Sequence, residues 1–553
     1  MKAFFINYWV ISKGFWKSKA GIVALTVLSI CAVFELSSVA LNVYLNHWYV
    51  AFYNAIEQYD KPSLIHELIV FSFITSGMLI NSFLAYLLGQ YLIIYIRKPL
   101  TESYVSEWLN SKSYLNYSRS YDNPEERISY DILQFISLSK YLFLKTVHCI
   151  ATLICFAIIL WQLSGVLSFS LYGYQIHIYG YLFLVAVILG VVNVIFVFRI
   201  GRPLKNLLYS QQKYEADFRY GLSVVRNNKT AIYDSQSEKK EFISSKKHLN
   251  KIVQNFYQVT FRRAKIDIVR SFFIQIYSLA GIILALPRYF ARSISFGQVM
   301  QVNSAFYNVI SPMLFLVFGY EELAELRTNV SRLAELKKSI IDSKSKNNIR
   351  QIDHAQQHLV VLKNLSVTKG SGVMLKNINI ALDDNGCILL HGKTGIGKTS
   401  LLRVINGHSD NFKGKITFNK SPKMLFLSQR PYFPEDDFKR AVFYPSFSSI
   451  PSDDEFIKIL GYLGVTYLEK FIGAVHDWRN VLSSGEQQKL CFCKVFTKNY
   501  DLVLIDEATS NMDSDSERVI YSLLKSKNIA YISVSHNTRV KQYHNKVIEL
   551  IND

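Results

Sequence analysis

Residues 392–399 form a glycine-rich segment of the kind that binds the phosphates of a nucleotide. The short apolar run 387–391 precedes it and an apolar, helix-like stretch follows, which predicts strand, loop and helix. Glycines let backbone N–H groups wrap phosphate oxygens, a lysine can reach the β and γ phosphates, and a threonine can offer its hydroxyl to Mg²⁺. The predicted ATP-binding residues are Gly392, Lys393, Thr394, Gly395, Ile396, Gly397, Lys398, Thr399 and Ser400.

A second apolar run, residues 502–505, ends in the acidic pair Asp506 and Glu507. An acid at the end of a buried strand can hold Mg²⁺, and a neighbouring acid can orient and polarise an attacking water. Three further polar groups stand at fixed places around this pair: Gln429 and the run 482–488 before it, and His536 after it. Taken alone, the histidine would more often be structural and the glutamine an ordinary surface residue.

The order of these motifs resembles the ABC ATPase family across residues 359–553. The resemblance implies that 392–399 is Walker A, that Asp506 closes Walker B, and that Gln429 is the Q-loop residue. It also implies that Asp513 belongs to the D-loop and that His536 is the switch histidine. The signature motif would be Ser483, Ser484, Gly485 and Glu486.

In this family ATP lies between Walker A of one subunit and the signature of another. The resemblance therefore implies that the signature residues approach the γ-phosphate across a dimer interface. It implies a catalytic set of Glu507 as base, His536 and Gln429, and a Mg²⁺ site of Thr399, Gln429 and Asp506. Because all of these are present, we expect hydrolysis rather than nucleotide binding alone.

The sequence departs from the family pattern at three places. Ser484 stands where the first of two glycines is usual, and Glu486 stands where glutamine is common. The aromatic residue that often stacks on adenine would fall near Lys369, and none is there. Adenine stacking is therefore either missing or supplied from elsewhere in the chain.

The rest of the chain has the composition of a membrane protein. Of 553 residues, 50% are hydrophobic, and 62 Lys and Arg against 42 Asp and Glu give a formal charge of +20. A nucleic-acid-binding protein with this charge would not usually be this apolar, so we expect no nucleic-acid partner. Apolar stretches of about 20 residues or more predict six membrane-spanning helices. They lie in 21–48, 68–96, twice in 146–198 with a break at 164–177, in 271–287 and in 293–320.

Basic residues alternate between the connections of these spans. The N-terminal segment, the loop between spans two and three, and the long connection 199–265 are rich in Lys and Arg, whereas the other connections are poor. By the positive-inside rule both termini and the ATPase are cytoplasmic. The long connections show helical spacing and should extend the spans beyond the bilayer. The N-terminal segment combines aromatic and basic residues, which predicts an interfacial helix in contact with lipid.

Glu35 is the one acid inside a clearly apolar span. A charge in lipid is costly, so this residue should face a cavity or a partner. A hydrogen-bonded packing role between helices explains it equally well, and both interpretations stay open.

The membrane half resembles the SbmA/BacA-like transporters and the related peroxisomal half-transporters. The matching segments of the membrane half are 41–48, 52–53, 122–128, 215–220, 226–228 and 322–333. In the ATPase half, 429–432 and Asp477-Trp478 fit the same branch. The resemblance implies a bacterial inner-membrane half-transporter that works as a homodimer. Some members of this branch are implicated in uptake of cobalamin, peptides and other hydrophilic solutes. We predict that Asn123, Pro124, Glu215 and Ala216 contact the ATPase, although Asn123-Pro124 could also be an ordinary turn.

The predicted fold is an all-α six-helix transmembrane domain of the exporter type, followed by an α/β P-loop nucleotide-binding domain. The predicted boundaries are 1–338 for the membrane domain, 339–357 for a linker and 358–553 for the ATPase. We expect ATP-driven transport by alternating access, with ATP and Mg²⁺ bound and a small molecule or peptide as substrate. A lipid or fatty-acyl exporter and an ATP-gated channel are the alternatives.

Overall fold

The structure, a computed structural model, describes residues 2–115, 124–171, 174–344, 350–354, 356–369, 372–409, 411–447 and 450–550. The chain divides into two compact units, Met1–Lys344 and Ser345–Asp553. The boundary falls inside the segment 339–357 that the sequence suggests as a linker. Residues up to 344 continue a helix and Arg350–Ile352 is a strand, so a large part of that segment has regular structure.

The first unit is built almost entirely of helices. Its helices are α1 (Lys2–Trp16), α2 (Lys19–Glu57), α3 (Lys61–Asn110), α4 (Pro124–Glu126), α5 (Ile132–Ser164), α6 (Tyr181–Gly201), α7 (Leu204–Asn227), α8 (Lys229–Asp234), α9 (Glu238–Phe290) and α10 (Phe296–Lys344). A π-helical turn, Arg127–Asp131, connects α4 to α5. Side-chain caps fix two of the helix starts: Ser18 accepts from the Gly21 N–H, and Asp60 accepts from the Ser63 N–H.

Within the residues that the structure describes, five helical stretches are long and apolar enough to cross a membrane. They are Lys19–Glu57, Lys61–Asn110, Pro124–Ser164, Tyr181–Asn227 and Glu238–Phe290. The sixth predicted span falls on α10, where several side chains lie outside the described residues. α3 has 50 residues and α9 has 53, which makes each about 75–80 Å long, far more than a bilayer requires. The predicted helical extensions of the spans are therefore present.

The predicted break at 164–177 contains a β-hairpin. Strand β1 (Val166–Leu171) pairs antiparallel with β2 (Tyr174–Tyr179). Gly180 follows with φ +69°, in the left-handed region, and an added Cβ there would come within 2.4 Å of the Trp161 ring. A glycine is thus required where the hairpin returns to α6.

The second unit is an α/β domain with two main sheets. Its strands are β3 (Arg350–Ile352), β4 (Val360–Lys369), β5 (Gly372–Leu382), β6 (Cys387–His391), β7 (Phe412–Phe418), β8 (Met424–Leu427), β9 (Asp436–Asp437), β10 (Val475–His476), β11 (Leu502–Asp506), β12 (Ala530–Val534) and β13 (Lys546–Glu549). Its helices are α11 (Lys398–Asn406), α12 (Phe438–Phe443), α13 (Asp453–Tyr462), α14 (Trp478–Val481), α15 (Ser484–Cys491), α16 (Cys493–Thr497) and α17 (Ser514–Ser526).

The larger sheet is entirely parallel, in the order β13-β6-β12-β11-β8. Every residue of β11 and β12 is buried, as expected for central parallel strands covered on both faces. The second sheet has the order β3-β7-β4-β5. One apolar core lies between the two sheets around α11, and another lies on the far side of the parallel sheet around Trp478 and Phe438.

Candidate functional site

The order of the parallel strands brings the predicted ATP-site residues to one edge. Neighbouring strands β6, β12, β11 and β8 all run in the same direction, so their carboxyl ends lie side by side. The segments that follow them are, in the same spatial order, the glycine-rich loop, His536, the pair Asp506 and Glu507, and Gln429. Ligands of open α/β sheets bind at this edge. The topology therefore assembles residues that are far apart in the sequence.

The glycine-rich loop ends in the first turn of α11. Gly397 caps this helix with φ +113°, a conformation that favours glycine. The Lys398 ammonium donates to the carbonyls of Gly392 (2.6 Å) and Lys393 (3.3 Å). Burial lowers the pKa of Lys398, while the nearby Glu507 and Asp506 oppose this effect. The helix N-terminus and the ammonium together provide positive potential where phosphates would bind.

Thr399 and Asp506 are in direct contact. The Thr399 hydroxyl donates to Asp506 Oδ1 at 2.8 Å, and the aspartate is 5% exposed. Burial raises the pKa of this carboxyl, although the Thr399 hydrogen bond acts against the shift. A buried carboxylate beside a hydroxyl is a suitable oxygen donor set for a hard cation such as Mg²⁺.

Glu507 is held by contacts on both of its carboxylate oxygens. Gln429 Nε2 donates to Oε2 at 2.9 Å, and His536 Nε2 lies 3.1 Å from Oε1. His536 Nε2 is also 3.3 Å from Lys398 Nζ. The backbone of Glu507 has φ +52°, and its N–H donates to the Val534 carbonyl. A non-glycine residue in this strained conformation is typical of functional sites.

The sequence suggests Gln429 both for the catalytic set and for the Mg²⁺ site, and in the structure its side chain contacts Glu507. Its role as a Mg²⁺ ligand stays a prediction. The amide oxygen of Gln429 is left for a different partner, because only its nitrogen contacts the carboxylate.

The signature segment begins α15 with a capping box. The Ser483 hydroxyl accepts from the Glu486 N–H, and Glu486 accepts from the Ser483 N–H at 2.7 Å. Ser484 is exposed at the start of the helix. A Cβ at Gly485 would come 2.8 Å from the Asn511 carbonyl oxygen, so this position excludes side chains. Glu486 therefore has a structural role in the cap that a glutamine could fill as well.

Tyr467 is a contact of the signature that sequence reasoning missed. Its hydroxyl donates to Glu486 Oε1 at 2.5 Å, which raises the pKa of the tyrosine to about 12. Burial opposes ionisation of Glu486, but the hydrogen bonds from Tyr467 and Ser483 outweigh it and lower the pKa of Glu486. Tyr467 lies in the short helical segment Thr466–Phe471, which comes before the signature in the chain. No sequence motif identifies it.

Asp513 caps α17 and pairs with the signature helix. It accepts from the Ser516 N–H at 2.8 Å and lies 2.6 Å from Lys489 Nζ. The hydrogen bond from Lys489 is the main cause of a pKa well below the ordinary range for this carboxyl. The D-loop and the signature helix are therefore tied together within one cassette.

In the first unit Glu35 has a partner on another helix. Its Oε2 lies 3.1 Å from His148 Nδ1 on α5, and both side chains are about one quarter exposed (30% and 22%). His148 was missed from the sequence because a single histidine in an apolar span carries no motif. The pair links α2 to α5 within two of the apolar stretches that are long enough to cross a membrane.

The structure describes three of the four residues that are predicted to contact the ATPase. Pro124 is buried at the start of α4, and Asn123 lies outside the described residues. Glu215 and Ala216 are exposed on α7, where Gln211 donates to the glutamate one turn away. Their contact with the ATPase stays a prediction.

Two family models match the chain, one on each unit. The model of the ABC transporter transmembrane region 2 matches residues 15–290, and the ABC transporter model matches residues 375–510. The chain belongs to the ABC transporters. It is a half-transporter, with one membrane region fused to one ATP-binding cassette.

Relatives cover this transporter over almost its whole length. An uncharacterised ABC transporter ATP-binding protein of Haemophilus influenzae is 28% identical, over 98% of this chain and 92% of the relative. The inner membrane ABC transporter ATP-binding protein YddA of Escherichia coli is 27% identical, over 94% and 92%. The human lysosomal cobalamin transporter ABCD4 is 24% identical, over 82% and 79%.

The fold of the transporter is that of an exporter. A bacterial Atm1-family ABC exporter, solved with ATP bound, superposes with a TM-score of 0.77 at 14% identity, over 96% of this chain and 94% of that one. The predicted fold class is thereby confirmed. As an ABC transporter the chain is a multi-pass membrane protein that binds ATP and couples its hydrolysis to transport.

Proposed function

We propose that the transporter works as a homodimer in which each ATP lies between two cassettes. The Walker A residues sit at the carboxyl edge of the parallel sheet, whereas the signature starts a separate helix, α15, that is bonded to the D-loop. One chain has only one cassette, so a second copy would supply the signature to each site. The ATP-bound exporter of the same fold supports this proposal.

Within each site Glu507 would be the general base. Its carboxylate is held by Gln429 and His536, and this double contact is the observation that carries the hydrolysis mechanism. His536 Nε2 lies 3.1 Å from the Glu507 carboxylate and 3.3 Å from Lys398 Nζ, beside the position where the γ-phosphate would bind. Glu507 would take a proton from water, Lys398 would bind the β and γ phosphates, and His536 would contact the γ-phosphate.

Thr399, Asp506 and the amide oxygen of Gln429 would hold Mg²⁺. These hydroxyl, carboxylate and amide oxygens fit a hard cation, and Thr399 and Asp506 are already in contact. The ion would neutralise charge that develops on the phosphates.

The membrane would be the bacterial inner membrane, with the cassette and both termini in the cytoplasm. The basic connections support the orientation, and the Escherichia coli relative is named for the inner membrane. Helix α1 buries Ile11 and Phe15 against the unit and exposes Phe5 and Trp9, as an interfacial helix in contact with lipid would.

The substrate would be a hydrophilic solute such as cobalamin or a peptide, and the direction would be uptake. The relative named as a lysosomal cobalamin transporter and the resemblance to SbmA/BacA-like proteins support this substrate class. The Glu35–His148 pair would line the transport pathway, since an ionisable pair inside apolar helices is rarely retained for packing alone.

The test is transport in proteoliposomes that contain the purified protein. Labelled cobalamin, a proline-rich peptide and a fluorescent phospholipid are offered in parallel, with and without ATP. We expect ATP-dependent movement of a hydrophilic solute, and loss of both ATPase and transport in Glu507→Gln. The exposed Glu435→Gln is the matched control and should keep both activities.

Two outcomes would contradict the proposal. Movement of only the phospholipid would favour the lipid exporter. Solute flux down a gradient in Glu507→Gln, without hydrolysis, would favour an ATP-gated channel.

A further inference from the structure

Gln488 is a buried amide at the centre of the cassette's polar contacts. It lies on α15, one turn beyond the signature residues, and it is 1% exposed. Its Nε2 donates to the Gln429 carbonyl (3.2 Å) and to the Ser510 hydroxyl (3.3 Å). Its Oε1 accepts from the Asn511 N–H at 2.9 Å. One side chain thus contacts Gln429 of the Q-loop, Ser510 after Walker B, and Asn511 at the start of the D-loop, residues 511–513.

Each partner of Gln488 is itself linked to the chemistry of the site. Gln429, whose carbonyl accepts from Gln488, holds the Glu507 carboxylate through its own side chain. Asn511, whose N–H donates to Gln488, has its carbonyl against Gly485 of the signature, where no Cβ would fit. The Gln488 side chain is buried and its three hydrogen bonds are 2.9–3.3 Å long, so a displacement of α15 would shift Gln429 and the D-loop with it.

These segments serve different ATP sites if the proposed homodimer is correct, and the inference rests on that proposal. The Q-loop and Glu507 of a cassette serve its own ATP, whereas its signature helix serves the ATP bound to the partner's Walker A. Gln488 joins the two sets within one chain. We infer that Gln488 is a positioning residue that links the two ATP sites of the dimer, so that ATP at one site orients Glu507 at the other.

Linkage of this kind predicts cooperative hydrolysis. When the signature helix contacts the γ-phosphate at one site, the helix would shift, and Gln488 would shift Gln429 with it. Because the Gln429 side chain holds Glu507, the base of the other site would be reoriented. Without the amide, each site would bind ATP as before but would no longer respond to its neighbour. ATP affinity at Walker A and cooperativity are therefore separable.

The test compares two neighbouring glutamines of the full-length protein in proteoliposomes. Gln488→Met keeps the side-chain length without its hydrogen bonds. Gln488→Glu keeps the acceptor for the Asn511 N–H but loses the donor to Gln429. The control is Gln487→Met, because the Gln487 side chain donates to the carbonyls of Leu482 (2.8 Å) and Arg479 (3.2 Å), which lie five and eight residues earlier in the chain. The measurements are the Hill coefficient and kcat of ATP hydrolysis, and ATP binding.

The expected wild-type Hill coefficient lies above 1, with a ceiling of about 2 for two sites. Both Gln488 variants should lower it to about 1 and reduce kcat by about tenfold, with ATP affinity unchanged within about twofold. Gln487→Met should keep the wild-type Hill coefficient. A thermal unfolding scan checks folding, and if Gln488→Met does not fold, Ser510→Ala removes a single bond and should lower the Hill coefficient partially.

Some results would overturn only the linkage through Gln488, whereas another would overturn the proposed dimer. A cooperative wild type with equally cooperative Gln488 variants would overturn the linkage alone. A wild type with a Hill coefficient of 1 would also overturn the linkage, because two independent sites in one dimer give that value. A protein that light scattering shows to be monomeric in the presence of ATP would overturn the proposed dimer itself.

Discussion

The two units of the transporter arrange their polar groups in opposite ways. In the cassette, Lys398, Asp506, Glu507 and His536 gather at one sheet edge, and each belongs to a sequence motif. In the membrane unit, the polar contacts are bridges between helices, such as Glu35 with His148 and Arg332 with Asp131.

This difference reflects what each unit has to do. Phosphate chemistry needs a fixed set of charges in a fixed geometry, and a parallel sheet supplies it at one edge. A membrane unit has to hold long helices together and let them move, so a few interhelical pairs suffice. Substitutions in the cassette should therefore change rates, whereas those in the membrane unit should change stability or transport.

The largest expected effect is at Glu507. Glu507→Gln removes the base while its shape is kept, so ATP turnover should fall by about 10²–10⁴-fold with ATP still bound. Steady-state hydrolysis by the purified protein measures the rate, with Glu435→Gln as the control. Turnover within twofold of wild type would show that another group acts as the base.

A buried ion pair in the membrane unit should have the next largest effect. Asp131 is fully buried at the start of α5, and its Oδ2 lies 3.1 Å from Arg332 Nε on α10. Asp131→Asn leaves the partly exposed guanidinium with its longer contact to Glu126 and should cost about 1–3 kcal/mol of stability. Thermal unfolding in detergent measures the loss.

The control for Asp131 uses the same arginine. Glu126 is half-exposed and lies 3.8 Å from Arg332, so Glu126→Gln should cost only about 0–1 kcal/mol. Equal losses in the two variants would mean that burial does not decide the strength of these pairs.

A smaller effect is expected at the intramembrane pair. Glu35→Gln replaces the carboxylate that contacts His148, so transport should fall by about tenfold while ATP hydrolysis without substrate is retained. Ser29→Ala on the same helix is the control, since its hydroxyl bonds only to the Leu25 carbonyl of its own helix. Parallel loss of hydrolysis and transport would place Glu35 among packing residues instead.

The smallest effect is expected at Tyr467. Tyr467→Phe removes one hydrogen bond to Glu486 and should lower ATP turnover by about two- to fivefold at neutral pH. That bond helps to keep the pKa of Glu486 low, so the ionised cap persists until the pH falls through this lowered value. As the pH is lowered, the variant should therefore lose ATP turnover at a higher pH than wild type. If both proteins lose turnover at the same pH, Tyr467 does not have this role.

Most of the cassette could be predicted because its chemistry follows local patterns. A glycine-rich loop after an apolar strand, and acids at the end of another, are recognisable in the sequence wherever they occur. The membrane spans were equally visible, since about 20 apolar residues suffice to predict one. The hairpin Val166–Tyr179 was missed because it lies between two apolar spans and the segment suggested only a polar break.

The sequence by itself determined the ATP-binding motif, five of the six predicted spans and the long helical extensions, because each depends on neighbouring residues. Only the tertiary structure decided which side chains meet: His148 with Glu35, Arg332 with Asp131, and Gln488 with the Q-loop and D-loop. These contacts join residues that are distant in the chain, and nothing in the local pattern specifies them. Strand order and helix packing bring them together, and those depend on burial of the whole apolar surface at once.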